Sequence, residues 1–126
     1  MISPERVSAE QLKTEIRRTF EELNKRNLAV LDEYYAPNVV VHYHNTGVEV
    51  IGLEKHKQSL NGRFAMFPDS HITIEDILVD GDKALIRYSS TATHNGNLGP
   101  AGKKLGGTAF QFRRYEGGKV AEIWEI

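Results

Sequence analysis

Cysteine is absent from the 126 residues. That excludes disulfides, thiolate nucleophiles and zinc–thiolate sites, and it suits a reducing cytoplasm, the expected location. Charge of one sign is absent too: 16 basic against 17 acidic residues leave a formal net charge of -1, well mixed along the chain. This gives no electrostatic basis for binding nucleic acid or an anionic membrane. No apolar run approaches the ~20 residues needed to cross a bilayer. The opening Met1-Ile2-Ser3-Pro4-Glu5-Arg6 lacks the apolar core of a signal peptide. Repeats, low-complexity tracts and linkers are missing as well, so the expectation is one domain spanning residues 1–126. A chain of this length buries roughly two-thirds of its unfolded surface, enough for a core and a small pocket.

What is present divides into helices followed by strands. Ser8-Ala9-Glu10-Gln11 fits a capping box, and Leu12, Ile16, Phe20 and Leu23 form one apolar helical stripe. Asn24 to Asn27 reads as a stop and fresh start. Leu28, Leu31 and Tyr35 then suggest a short second helix that Pro37 prevents from continuing. Val39 to His44 is β-branched enough for a strand, and Asn45-Thr46-Gly47 turns it. Gly52 precedes a third helix with Leu53, Leu60, Phe64 and Phe67 on one face. His56 shares that face, which predicts a packing role, and Pro68-Asp69 ends the helix.

Strands are predicted over Ile72–Val79, Ala84–Thr93, Leu105–Tyr115 and Lys119–Ile126, joined by turns at Asp80-Gly81-Asp82 and Glu116-Gly117-Gly118. Gly106-Gly107 would permit a bulge or sharp bend. This order predicts an α+β domain, with N-terminal helices packed on one face of a strongly curved antiparallel sheet and space for a cavity between them.

Few residues carry candidate chemistry. His94 ends a strand beside the loop Asn95-Gly96-Asn97-Leu98-Gly99-Pro100; it is either a surface histidine or a titratable group presented to a pocket. Strict alternation puts Val120, Glu122, Trp124 and Ile126 on one side of the last strand. Trp124 then serves as pocket wall with a polar N–H, or as core filler. His42 and His44 share a strand face, but no third metal ligand stands at a recognisable spacing, so one of them is expected to line a cavity or make a buried hydrogen bond. The glycines at 96, 99, 102, 106 and 107 lack the Lys-Ser/Thr ending of a phosphate loop, and Lys103-Lys104 is a small solvated basic spot.

Several segments in this order resemble the SnoaL-like polyketide cyclase family of the NTF2-like superfamily. They are Tyr34-Tyr35-Ala36-Pro37-Asn38-Val39-Val40-Val41-His42, Gly52-Leu53-Glu54, Phe67-Pro68-Asp69, Val79-Asp80-Gly81-Asp82-Lys83, Thr93-His94-Asn95-Gly96, Gly102-Lys103 and Gly118-Lys119-Val120-Ala121-Glu122-Ile123-Trp124. The resemblance implies a cone-shaped α+β barrel around an apolar cavity. It also implies cofactor-free, metal-free aldol ring closure of a polyketide ester, in which a carboxylate removes a proton beside a carbonyl. By this resemblance His94 is the catalytic cavity histidine, and Tyr35, His42, Phe64, Tyr88 and Trp124 bind substrate. The acid/base aspartate of those cyclases falls at position 128, past Ile126; Glu122, on the Trp124 side, is the carboxylate that could substitute. A homodimer through the open sheet face is expected. The leading function is a cyclase, ester cyclase-like, or an isomerase acting on a small apolar carbonyl compound. The alternative is a non-catalytic ligand-binding or dimerisation module on the same scaffold.

Overall fold

The computed structural model describes residues 8–93 and 104–126. The elements run α1 (Ala9–Asn24), α2 (Val30–Tyr34), β1 (Tyr35–Tyr43), β2 (Val48–Ile51), α3 (Leu53–Met66), β3 (His71–Asp80), β4 (Lys83–Thr93), β5 (Lys104–Glu116) and β6 (Lys119–Glu125). Three helices pack on one six-stranded sheet of order β2-β1-β6-β5-β4-β3. The sheet is mixed, because β1 runs parallel to β6 while every other pair is antiparallel. It is open, with β2 and β3 at its edges.

Local sequence accounts for α1. The Ser8 hydroxyl accepts from the Gln11 backbone N–H at 3.1 Å and caps the helix start. Leu12, Ile16, Phe20 and Leu23 are all buried along the stripe that their spacing predicts. The helix ends where Arg26 takes a left-handed conformation, φ 67°. Its guanidinium bonds the Leu23, Asn24, Pro68 and Ser70 carbonyls, which holds this unfavourable backbone in place and ties α1 to the chain after α3. The Asn24 side chain adds a paired bridge to the backbone of Ile72, at 2.8 and 2.9 Å.

The second helix is shorter than its sequence pattern suggests. Tyr35 already belongs to β1, where it pairs with Val120, and Val48–Ile51 adds a four-residue strand that the sequence pattern does not predict. Gly106 and Gly107 pair in unbroken register with Thr91 and Ser90, so the sheet has no bulge there. The irregularities lie elsewhere. Glu75 is an extra residue opposite β4, and Ala121 is an extra residue opposite β5. Each bulge inverts the alternation beyond it and bends the strand.

The bulge at Ala121 decides which side chains meet the helices. Val120 and Ile123 are both buried in the core, although strict alternation would put them on opposite faces. Val120 therefore does not share a side with Glu122 and Trp124, which is a correction to the alternation read from sequence. The helix-covered face carries the row Val41, Ile123, Arg113 and Ala84, with Ile86, Gln111 and Glu125 in the neighbouring row. The opposite face carries the row His42, Trp124, Phe112, Leu85 and Leu78, one residue from each of five strands.

Candidate functional site

A cavity of about 410 Å³ opens between α1, α3 and the ends of β3, β4 and β5. That volume lies within the range of small-ligand sites. Leu23, Leu60, Phe64, Phe67, Ile72 and Ala109 supply apolar wall. Helix α3 aims its inward stripe of Leu53, His56 and Leu60 at the sheet, and the stripe then divides between Arg63 and Phe64, which both line the cavity. Two of the polar lining residues are already engaged: Asn24 on Ile72, and Ser70 with the Arg26 guanidinium.

A polar chain crosses the helix-covered face beside this cavity. One Glu125 carboxylate oxygen accepts from the Tyr88 hydroxyl at 2.8 Å; the other accepts from the Gln111 amide N–H. The Gln111 carbonyl oxygen accepts from Arg113 Nε, and Arg113 Nη2 donates to the Tyr35 hydroxyl at 2.9 Å. Ala109, which pairs with Tyr88, lines the cavity and lies two residues from Gln111, about 7 Å along the strand. The Glu125 carboxylate thus belongs to the row of the sheet next to the cavity wall. It is half-buried, and about two of its four lone-pair positions stay uncommitted.

Arg113 is 1% exposed, and no carboxylate among the described residues bonds it directly. An isolated buried charge is costly. Here Gln111 links it to Glu125, and its guanidinium lies 5.4 Å from the Phe20 ring centroid and 5.3 Å from that of Tyr35. Burial pushes the Tyr35 hydroxyl up to about 12, and burial followed by the Glu125 charge raises that of Tyr88, so both stay neutral. His56 stacks on Tyr35 at 5.8 Å, and its Nδ1 is buried without a hydrogen bond. Burial, then the charges of Arg113 and Arg63, depress its pKa to about 4.

The expected site residues separate into three places. Phe64 lines the cavity, and Tyr88 and Tyr35 stand at opposite ends of the polar chain. His42 and Trp124 lie on the other face of the sheet, where their rings stack 5.2 Å apart. There His42 Nδ1 meets Glu49 at 2.7 Å and Nε2 meets Glu122 at 2.6 Å. The hydrogen bond from His42 is the main cause of the lowered Glu122 pKa. His94 lies outside the described residues. Glu125, Gln111 and Arg113 were not singled out from sequence. The available signal was the conflict in β6, where strict alternation seats Glu122 beside core Val120 and turns Ile123 outward.

An open sheet cupped by three helices, with a largely apolar cavity and a half-buried carboxylate beside it, defines a class of small α+β proteins. Within that class, the chain belongs to the SnoaL-like polyketide cyclase family, whose sequence pattern matches residues 14–126. No curated protein matches it significantly. Solved structures do. IdmH, a candidate polyketide cyclase from Streptomyces antibioticus, is 27% identical over 92% of this chain and 91% of its own, with a TM-score of 0.81. A candidate SnoaL-like polyketide cyclase from Jannaschia sp. CCS1 is 20% identical over 100% and 89%, with a TM-score of 0.83. An NTF2-like protein of unknown function from Burkholderia pseudomallei is 12% identical over 90% and 88%, with a TM-score of 0.77. The last two likenesses establish the NTF2-like fold alone. No helix among the described residues is long and apolar enough to cross a membrane.

Proposed function

We propose that this protein binds a small apolar, polyketide-like carbonyl compound between α3 and the sheet. Glu125 moves a proton on it, in a cofactor-free cyclisation or isomerisation. The observation that carries this reading is the carboxylate held by Tyr88 and Gln111 one row from the cavity wall. A carboxylate fixed by two donors can take a proton from the carbon beside a carbonyl and return it at another atom. The Tyr88 hydroxyl, kept neutral, spends its one O–H on Glu125 and so fixes the carboxylate that moves the proton. Phe64 contributes wall, and His94 keeps its expected role as a polar cavity group. The kinship with IdmH supports the substrate class. A cysteine-free chain suits the cytoplasm, where we place it.

Hydrogen–deuterium exchange at the α-carbons of 2-tetralone in D2O, followed by NMR, tests the proton transfer. The protein is expected to accelerate exchange, and Glu125→Gln to lose about 10²–10⁴-fold of that acceleration. Gln can still bond Tyr88 and Gln111, so folding and ligand affinity should persist. Exchange no faster than in buffer would leave the non-catalytic binding module as the function.

The outer sheet face supports a second element of the proposal, a homodimer. Leu78 is 63% exposed and Phe110 is 41% exposed, on the face that also carries Leu85, Phe112 and Trp124. A second copy of that face is its natural cover.

A further inference from the structure

We infer that the ligand carries a carboxylate group, and that Arg63 receives it at the mouth of the cavity. This rests on the proposed use of the cavity and names the chemistry of its occupant. Arg63 is the one charged residue among the described residues that line the cavity; no acidic side chain lines it there. It stands three residues after Leu60 and seven after His56, a stripe position that elsewhere on α3 is occupied by packing residues. Its guanidinium makes no hydrogen bond or ion pair with any described residue. The neighbouring Arg26 differs, since its donors are spent on four backbone carbonyls.

The Arg63 charge also reaches inward: after burial and Arg113 it opposes the charging of His56, and it partly offsets the rise that burial and Glu125 impose on Tyr88. A cation in the last turn of a helix is favoured by the helix dipole, which explains its tolerance there but not its place on the cavity wall. One uncommitted guanidinium, with no second free cation among the described lining residues, matches a single negative charge. That chemistry fits a carboxylate in the two-pronged geometry arginine offers, rather than a doubly charged phosphate. The apolar wall takes the body of the molecule, and Glu125 repels the acid group from the opposite end. The ligand is therefore oriented, carboxylate outward and carbonyl inward.

Matched probes of one shape test this: 2-naphthoate and 2-naphthamide, titrated into the full chain by calorimetry. The expected result is at least about tenfold tighter binding of 2-naphthoate, a preference that Arg63→Gln abolishes by weakening 2-naphthoate far more than 2-naphthamide. Raising salt on the unaltered protein should weaken 2-naphthoate alone, which tests the ion pair without any substitution. Equal affinity for the two probes, or a preference that survives in Arg63→Gln, overturns the carboxylate inference and leaves the cavity reading standing. Binding of neither probe overturns both.

Discussion

His56 should make the protein sensitive to mild acid. The ring is 6% exposed, stacked on Tyr35, with Nδ1 unbonded and two arginines placed to oppose its charging. Its pKa falls from 6.5 to about 4 in the folded state. The unfolded chain therefore binds the proton more readily, and stability rises with pH across that window. The contribution is fully present above about pH 6.5 and is lost as pH falls toward 4. At pH 4.5, relative to pH 7.5, the unfolded form gains a factor of about 92 from protonation while the folded form gains about 1.3, a loss of about 2.5 kcal/mol. Urea unfolding at the two pH values measures it. Other groups also respond to acid, including Glu122 and Asp69, whose pKa values are lowered. The comparison must therefore be with His56→Leu, which has similar volume and does not titrate. The unaltered protein should lose about 2.5 kcal/mol more than this variant between the two pH values. The absolute stability of the variant does not enter, since only the slope is read. Equal losses in both proteins would refute the assignment of His56 as a buried neutral imidazole.

Two further outcomes follow from the same contacts. Tyr35→Phe leaves a buried Arg113 N–H without an acceptor, and should cost about 1.5–3 kcal/mol in urea unfolding, with the fold retained. Leu78→Asp puts a charge into the exposed apolar row and should convert a dimer to a monomer in sedimentation velocity at unchanged helix content; a monomeric unaltered protein would remove the proposed interface.

The readability of this chain followed the range of the interactions involved. The α1 stripe and the Ser8 cap depend on neighbours within four residues, so spacing was enough to place them. His56 was readable as a packing residue because it lies on the α3 stripe, but its raised cost of protonation depends first on burial against the sheet and then on Arg113, which arrives from β5. The four residues of β2 were too few to show a period, and only pairing with β1 makes them a strand. His42 was conspicuous in sequence, yet its two carboxylate partners come from β2 and β6.

The position of the working carboxylate shows the same division most sharply. Residue order fixed helices before strands, the turns between hairpins, and the family, because these depend on local propensity and on segments quoted in sequence. Tertiary structure alone decided the face of each β6 side chain. One extra residue, Ala121, has no partner of its own on β5, and period two then reverses. That reversal sends Glu122 and Trp124 to the outer face and brings Glu125 between Tyr88 and Gln111. A bulge is a mismatch between two strands, so it is a property of their pairing, which neither strand's sequence carries on its own.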